Sequence, residues 1–118
     1  MKPAVVSLPA LIDALPTQSN QALLEKIAIQ VHRDCNMGEV QPYADISALA
    51  EAVNRMITPL YMQSRERFMQ LVYKVDLSEK MLSPVLANAR DVHEAMVQTS
   101  VMIIYRCFQK VMTRDYFR

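Results

Sequence analysis

The chain has 118 residues, a formal charge of +1, a hydrophobic fraction of 52%, one glycine and nine methionines. That length suits one domain spanning residues 1–118, and the near-neutral charge excludes a strong electrostatic case for nucleic acid, an anionic membrane or an acidic partner. A single glycine also excludes a glycine-rich phosphate loop.

Residues 1–19 hold Pro3, Pro9 and Pro16 around a short apolar piece from 8 to 15. The prolines limit it to one or two helical turns, in which Leu8, Leu11, Ile12 and Leu15 share a face and dock over the bundle as a lid. Pro3, Pro9 and Asp13 break this apolar run, which argues against a signal peptide, and no run reaches the roughly 18 residues that span a bilayer.

From residue 20 to 36, Leu23, Leu24, Ile27, Ala28, Val31 and Cys35 recur at helical spacing. Gly38 stands just past them, where a left-handed cap would end the helix. Residues 37–44, with Pro42, form a short connection.

The next stripe, Ile46, Leu49, Val53, Met56 or Ile57 and Leu60, starts after Asp45 or Ser47 as cap and stays in phase through Ser64, Phe68, Leu71, Val72 and Val75. Pro59 removes a helix bond, so Thr58–Pro59 either restarts a second helix or kinks one long helix. The preserved phase favours one kinked, nearly collinear element over 46–75. Residues 76–82 then reverse the chain, with Ser78 and Glu79 opening a helical turn.

Ser83 followed by Pro84 has the form of a helix cap and first position, and no later glycine or proline interrupts residues 83–118. The spacing predicts one long helix there. It has an amphipathic first part, an all-round apolar centre near Val101, Met102, Ile103, Ile104 and Tyr105, and a basic end. The expected fold is an all-α compact bundle built on a long antiparallel hairpin, 46–75 against 84–113. The shorter 20–36 helix and the Pro-rich N-terminal turn pack upon it.

Residues 1–58 carry four basic and six acidic groups, giving −2, whereas residues 59–118 carry nine and six, giving +3. Much of the C-terminal excess is the row Arg106, Lys110, Arg114 and Arg118, which winds by about 40 degrees per four-residue step. With Tyr105, Tyr116 and Phe117 nearby, such an edge has the parts needed to contact phosphates and stack bases. It equally fits cations that complement a helix C-terminus and cover its apolar flanks.

Cys35 and Cys107 lie in apolar-periodic stretches and are expected to be reduced thiols in a cytoplasmic protein. His32 and Cys35 are three apart, but two ligands do not make a zinc site, and adjacent His93 and Glu94 point about 100 degrees apart on a helix. No metal or cofactor is expected. Glu51, Glu66, Asp91 and Glu94 suit a solvated face, so enzyme activity is the minor class. The leading expectation is a non-catalytic cytoplasmic interaction or regulatory bundle, self-associating through Val101, Met102, Ile104, Tyr105 and Phe108, because apolar excess and methionine suit a covered face. The alternative is a nucleic-acid-associated protein using the basic edge.

Overall fold

Side-chain periodicity is converted into five helices in the computed structural model, which describes residues 20–116. They are α1 (Asn20–Asp34), α2 (Ile46–Gln63), α3 (Arg65–Val75), α4 (Glu79–Asn88) and α5 (Val92–Tyr116). The predicted N-terminal turn and its lid role fall outside the described residues. The all-α bundle matches the expectation. Both hairpin arms, however, are divided, and α5 is the spine on which α1, α2, α3 and α4 pack.

α1 buries the predicted stripe of Leu23, Leu24, Ile27, Ala28 and Val31, together with Cys35 just beyond it. Its cap differs from the expected one. Asn36, at φ 53, takes the left-handed position, and the Met37 amide donates to the His32 carbonyl at 2.9 Å. Asparagine tolerates that conformation because its short polar side chain bonds locally. Gly38, at φ 80, is a second left-handed residue inside the turn that follows.

Asp45 caps α2, its carboxylate accepting from the Ala48 amide at 2.9 Å. Ile46, Leu49, Ala50, Val53 and Ile57 form the buried face. Pro59 neither ends nor divides this helix, which corrects the expected interruption. The exposed ring removes the bond that would reach the Arg55 carbonyl, yet the helix continues to Gln63. The break comes at Ser64, whose backbone is extended (φ −154, ψ 104). Its amide closes α2 on the Leu60 carbonyl at 2.9 Å, and its hydroxyl oxygen accepts from the Arg67 amide at 3.2 Å to open α3. One serine therefore serves both helix ends. Across the break, the Tyr61 and Phe68 rings meet edge to face, 4.9 Å apart.

α3 buries Phe68, Val72 and Val75 and ends at left-handed Asp76, with the Leu77 amide donating to the Val72 carbonyl at 3.0 Å. Ser83–Pro84 does not start the last helix. α4 begins at Glu79, Pro84 lies inside it, and Leu82 and Val85 supply its buried face. The predicted single helix over 83–118 is interrupted where Ala89 turns extended (φ −67, ψ 142). α5 then restarts on a reciprocal cap. Asp91 Oδ1 accepts from the Glu94 amide at 2.8 Å, while Glu94 accepts from the Arg90 amide at 3.2 Å and the Arg90 guanidinium at 2.7 Å.

In α5, Met96, Ile103, Ile104, Cys107 and Val111 are fully buried, and Thr99 and Ser100 are buried with them. Those two hydroxyls donate to the Ala95 and Met96 carbonyls at 2.7 and 2.8 Å, which satisfies them without a partner helix. The radius of gyration is 13.7 Å, that of a compact chain. Among the described residues no helix is long and apolar enough to cross a membrane.

Candidate functional site

The basic row lies where α5 passes the C-terminal ends of α3 and α1. Arg106 donates from Nη2 to Asp76 Oδ2 at 2.8 Å and from Nε to the Asp76 carbonyl at 3.2 Å, closing the end of α3. One turn on, Lys110 donates to Asp34 Oδ2 at 2.6 Å, and Asp34 is the last residue of α1. Arg114 donates to Gln30 Oε1 at 3.0 Å, Gln30 donates to Asp34 Oδ1 at 3.0 Å, and Lys26 donates to Asp115 at 2.8 Å. As the partner numbers rise along α1 they fall along α5, so the two helices are antiparallel. Two helix C-termini with partial negative charge thus face the cations, an arrangement the helix dipole favours. Arg118 lies outside the described residues.

The thiols sit in the same seam. Cys107 Sγ is 3.8 Å from Asp34 Oδ2, and both cysteines are buried and unbridged. Burial, reinforced by the Asp34 charge, pushes the Cys35 thiol up to about 12, and the same causes in the same order push Cys107 upward. Both therefore stay protonated at neutral pH, which makes them poor nucleophiles.

The carboxylates of this network set an acid limit on stability. A hydrogen bond and charge from Arg106 hold Asp76 below the ordinary carboxylate range; Arg90 does the same for Glu94, and chiefly Lys26 for Asp115. Folded values below the unfolded ones contribute stability that is complete above the unfolded pKa and is lost as pH falls through the folded values. The urea midpoint should therefore be flat from neutral pH down to about 5 and decline below about 4. In Arg106→Gln that decline should be shallower. A midpoint that rises on acidification, or an unaltered slope in the variant, would contradict this assignment.

Of the apolar residues expected to meet a partner, Val101, Met102, Ile104 and Phe108 are buried in the chain's own core, whereas Tyr105 is half-buried. Met102 and Tyr105 nevertheless reach a half-open cleft of about 330 Å³ between the α3–α4 corner and α5. Leu77 and Met81 complete its apolar lining, and the Asp76–Arg106 pair stands at its edge. Tyr73, 62% exposed, braces the corner by donating its hydroxyl proton to Glu79. Val101 lines a second cleft, of about 290 Å³, with Ala50, Glu51 and Asn54 of α2.

The remaining candidates have local roles. Glu51 and Glu66 are exposed, as is His93, while Asp91 and Glu94 build the α5 cap rather than a solvated charged face. His32 bonds to Gly38 and Tyr43, and no three metal-ligating side chains gather among the described residues. Sequence reasoning missed the acidic partners Asp34 and Asp76, because nothing local links them to residues 76 and 30 positions away. It also missed the cleft, which belongs to no single element. Comparison with protein families, with curated proteins and with solved structures finds no match to this chain.

Proposed function

We propose that the chain is a non-catalytic helical module that works by binding protein, a second copy of itself included. The half-open cleft carries this reading, because Met81, Met102 and Tyr105 offer an adaptable apolar surface there. Methionine repacks around differently shaped side chains, and tyrosine adds contact area at low entropic cost. A cytoplasmic setting goes with this reading, since free thiols persist in reducing compartments. Nucleic-acid contact along the basic row has less support, since Arg106, Lys110 and Arg114 each donate to the chain's own acceptors.

Sedimentation across the micromolar range should report a monomer–dimer equilibrium that Met81→Asp weakens by at least about tenfold. Met81 is exposed enough for the substitution to leave the core intact. A strict monomer at high micromolar concentration removes the self-association, and a dimer indifferent to Met81→Asp removes the cleft from its interface.

A further inference from the structure

We propose that Met81 is an oxidation site that switches the cleft off: hydrogen peroxide converts its thioether to the sulfoxide, and the cleft then binds a second copy of the chain less tightly. This switch rests on the reading of the cleft as a self-association surface.

The methionine sulfurs differ in exposure. Among the described residues only Met62 and Met81 are exposed methionines, at 63% and 37%. Met62 stands near the end of α2 and lines neither of the two clefts. Met81 stands in the first turn of α4, where its amide donates to the Ser78 carbonyl at 3.1 Å, and its side chain lines the methionine cleft. Met102 lines the same cleft from α5 but is only 7% exposed. Solvent therefore reaches one cleft sulfur and is largely kept from the other.

The competing thiols are slower targets. Cys35 and Cys107 are buried, and burial pushes both thiols upward, so little thiolate exists at neutral pH for peroxide to meet. A thioether has no proton to lose, and its reaction depends on access.

The step is an oxygen-atom transfer. A lone pair of Met81 Sδ attacks one peroxide oxygen, the O–O bond breaks, that oxygen stays on sulfur, and the other leaves as water after proton transfer. Sulfur loses two electrons and the peroxide gains them. The product is polar and chiral where the thioether was apolar and adaptable. On the free chain water hydrates the new oxygen. Under a docked apolar partner it is buried, which costs binding. The fold itself is spared, because Met81 is exposed whereas its neighbour Leu82 belongs to the core. Sulfoxide reductases, drawing electrons from a dithiol, remove the oxygen as water and reset the switch.

The test exposes the full chain to hydrogen peroxide, locates the added oxygen by peptide mass spectrometry and measures association by sedimentation. Met62 and Met81 should gain oxygen before Met102, with the urea midpoint unchanged. The dimer dissociation constant should rise at least about fivefold, the lower end of the cost of burying an unpaired polar group. Reductase with dithiothreitol should reverse it. Met62→Leu should respond to peroxide as the wild type does, whereas Met81→Leu should keep whatever affinity it had before treatment. Met81 should also oxidise more slowly in concentrated, associated samples than in dilute ones, and Met62 should not. Oxidation of Met102 ahead of Met81, a Met81→Leu dimer that weakens like the wild type, or association unchanged while Met81 carries the sulfoxide overturns the switch alone. A chain that is monomeric before peroxide is added removes the self-association and the switch with it.

Discussion

Asp34→Ala is expected to lower the unfolding free energy by about 2–3 kcal/mol, because it strands the Lys110 ammonium in the α1–α5 seam. Side-chain exposure is 12% for Asp34 and 23% for Lys110, so neither charge is well hydrated, and the pair closes at 2.6 Å. The same carboxylate accepts from Gln30 and lies against the Cys107 thiol. Removing it leaves three groups short of a partner. The figure stands at the lower end for buried pairs because Lys110 keeps partial contact with water. Replacing both partners, in Asp34→Ala with Lys110→Met, should recover most of the loss, since an apolar pair needs no compensation. Urea denaturation of the wild type, both single variants and the double variant measures the coupling. Additive losses in that cycle would mean that the pair is not coupled, and its role as the joint between the two helices would fail.

Ile103→Ala should cost about 3–4 kcal/mol, the range for an aliphatic side chain deleted from a site that cannot collapse. Ile103 is fully buried near the middle of α5, the helix against which α1, α2, α3 and α4 all pack. A cavity at that place has rigid neighbours on several sides and little freedom to close. Ile103→Val, which removes a single methylene, should cost about 1 kcal/mol. Met102→Ala, one residue away at the edge of the cleft, should fall clearly below Ile103→Ala because solvent and flexible neighbours can fill the gap. Equal losses at positions 102 and 103 would show that α5 is not the centre of the core.

Much of the helix content was legible because each apolar stripe is a face that the folded chain buries. Leu23, Ile27 and Val31 in α1, and Leu49, Val53 and Ile57 in α2, are buried as their spacing predicts. Helix ends were less legible, for identifiable reasons. Proline at positions 59 and 84 lies inside a helix without ending it. Each removes one backbone bond, but apolar residues on both sides, Ile57 with Leu60 and Leu82 with Val85, continue to pack and hold the helix. The real break, at Ser64, is a single extended residue that keeps the apolar phase and so leaves no gap in the pattern. The α4–α5 boundary did leave a signal. Asp91-Val92-His93-Glu94 has the spacing of a capping box, an acceptor residue followed three positions later by glutamate before an apolar run.

Periodicity along the chain is enough to establish that it is helical, which face of each helix is apolar, and that cations recur every fourth residue from Arg106. What those faces and cations meet depends on how the helices are placed against one another. Asp76 closes on Arg106 and Asp34 on Lys110, His32 holds Gly38 and Tyr43, and the α3–α4 corner leaves a methionine-lined cleft against α5. The physical reason is that hydrophobic burial is non-directional: periodicity states that a face must be covered, and it does not name the neighbour. Hydrogen bonds and ion pairs depend on distances of about 3 Å, which exist only once the helices have been placed.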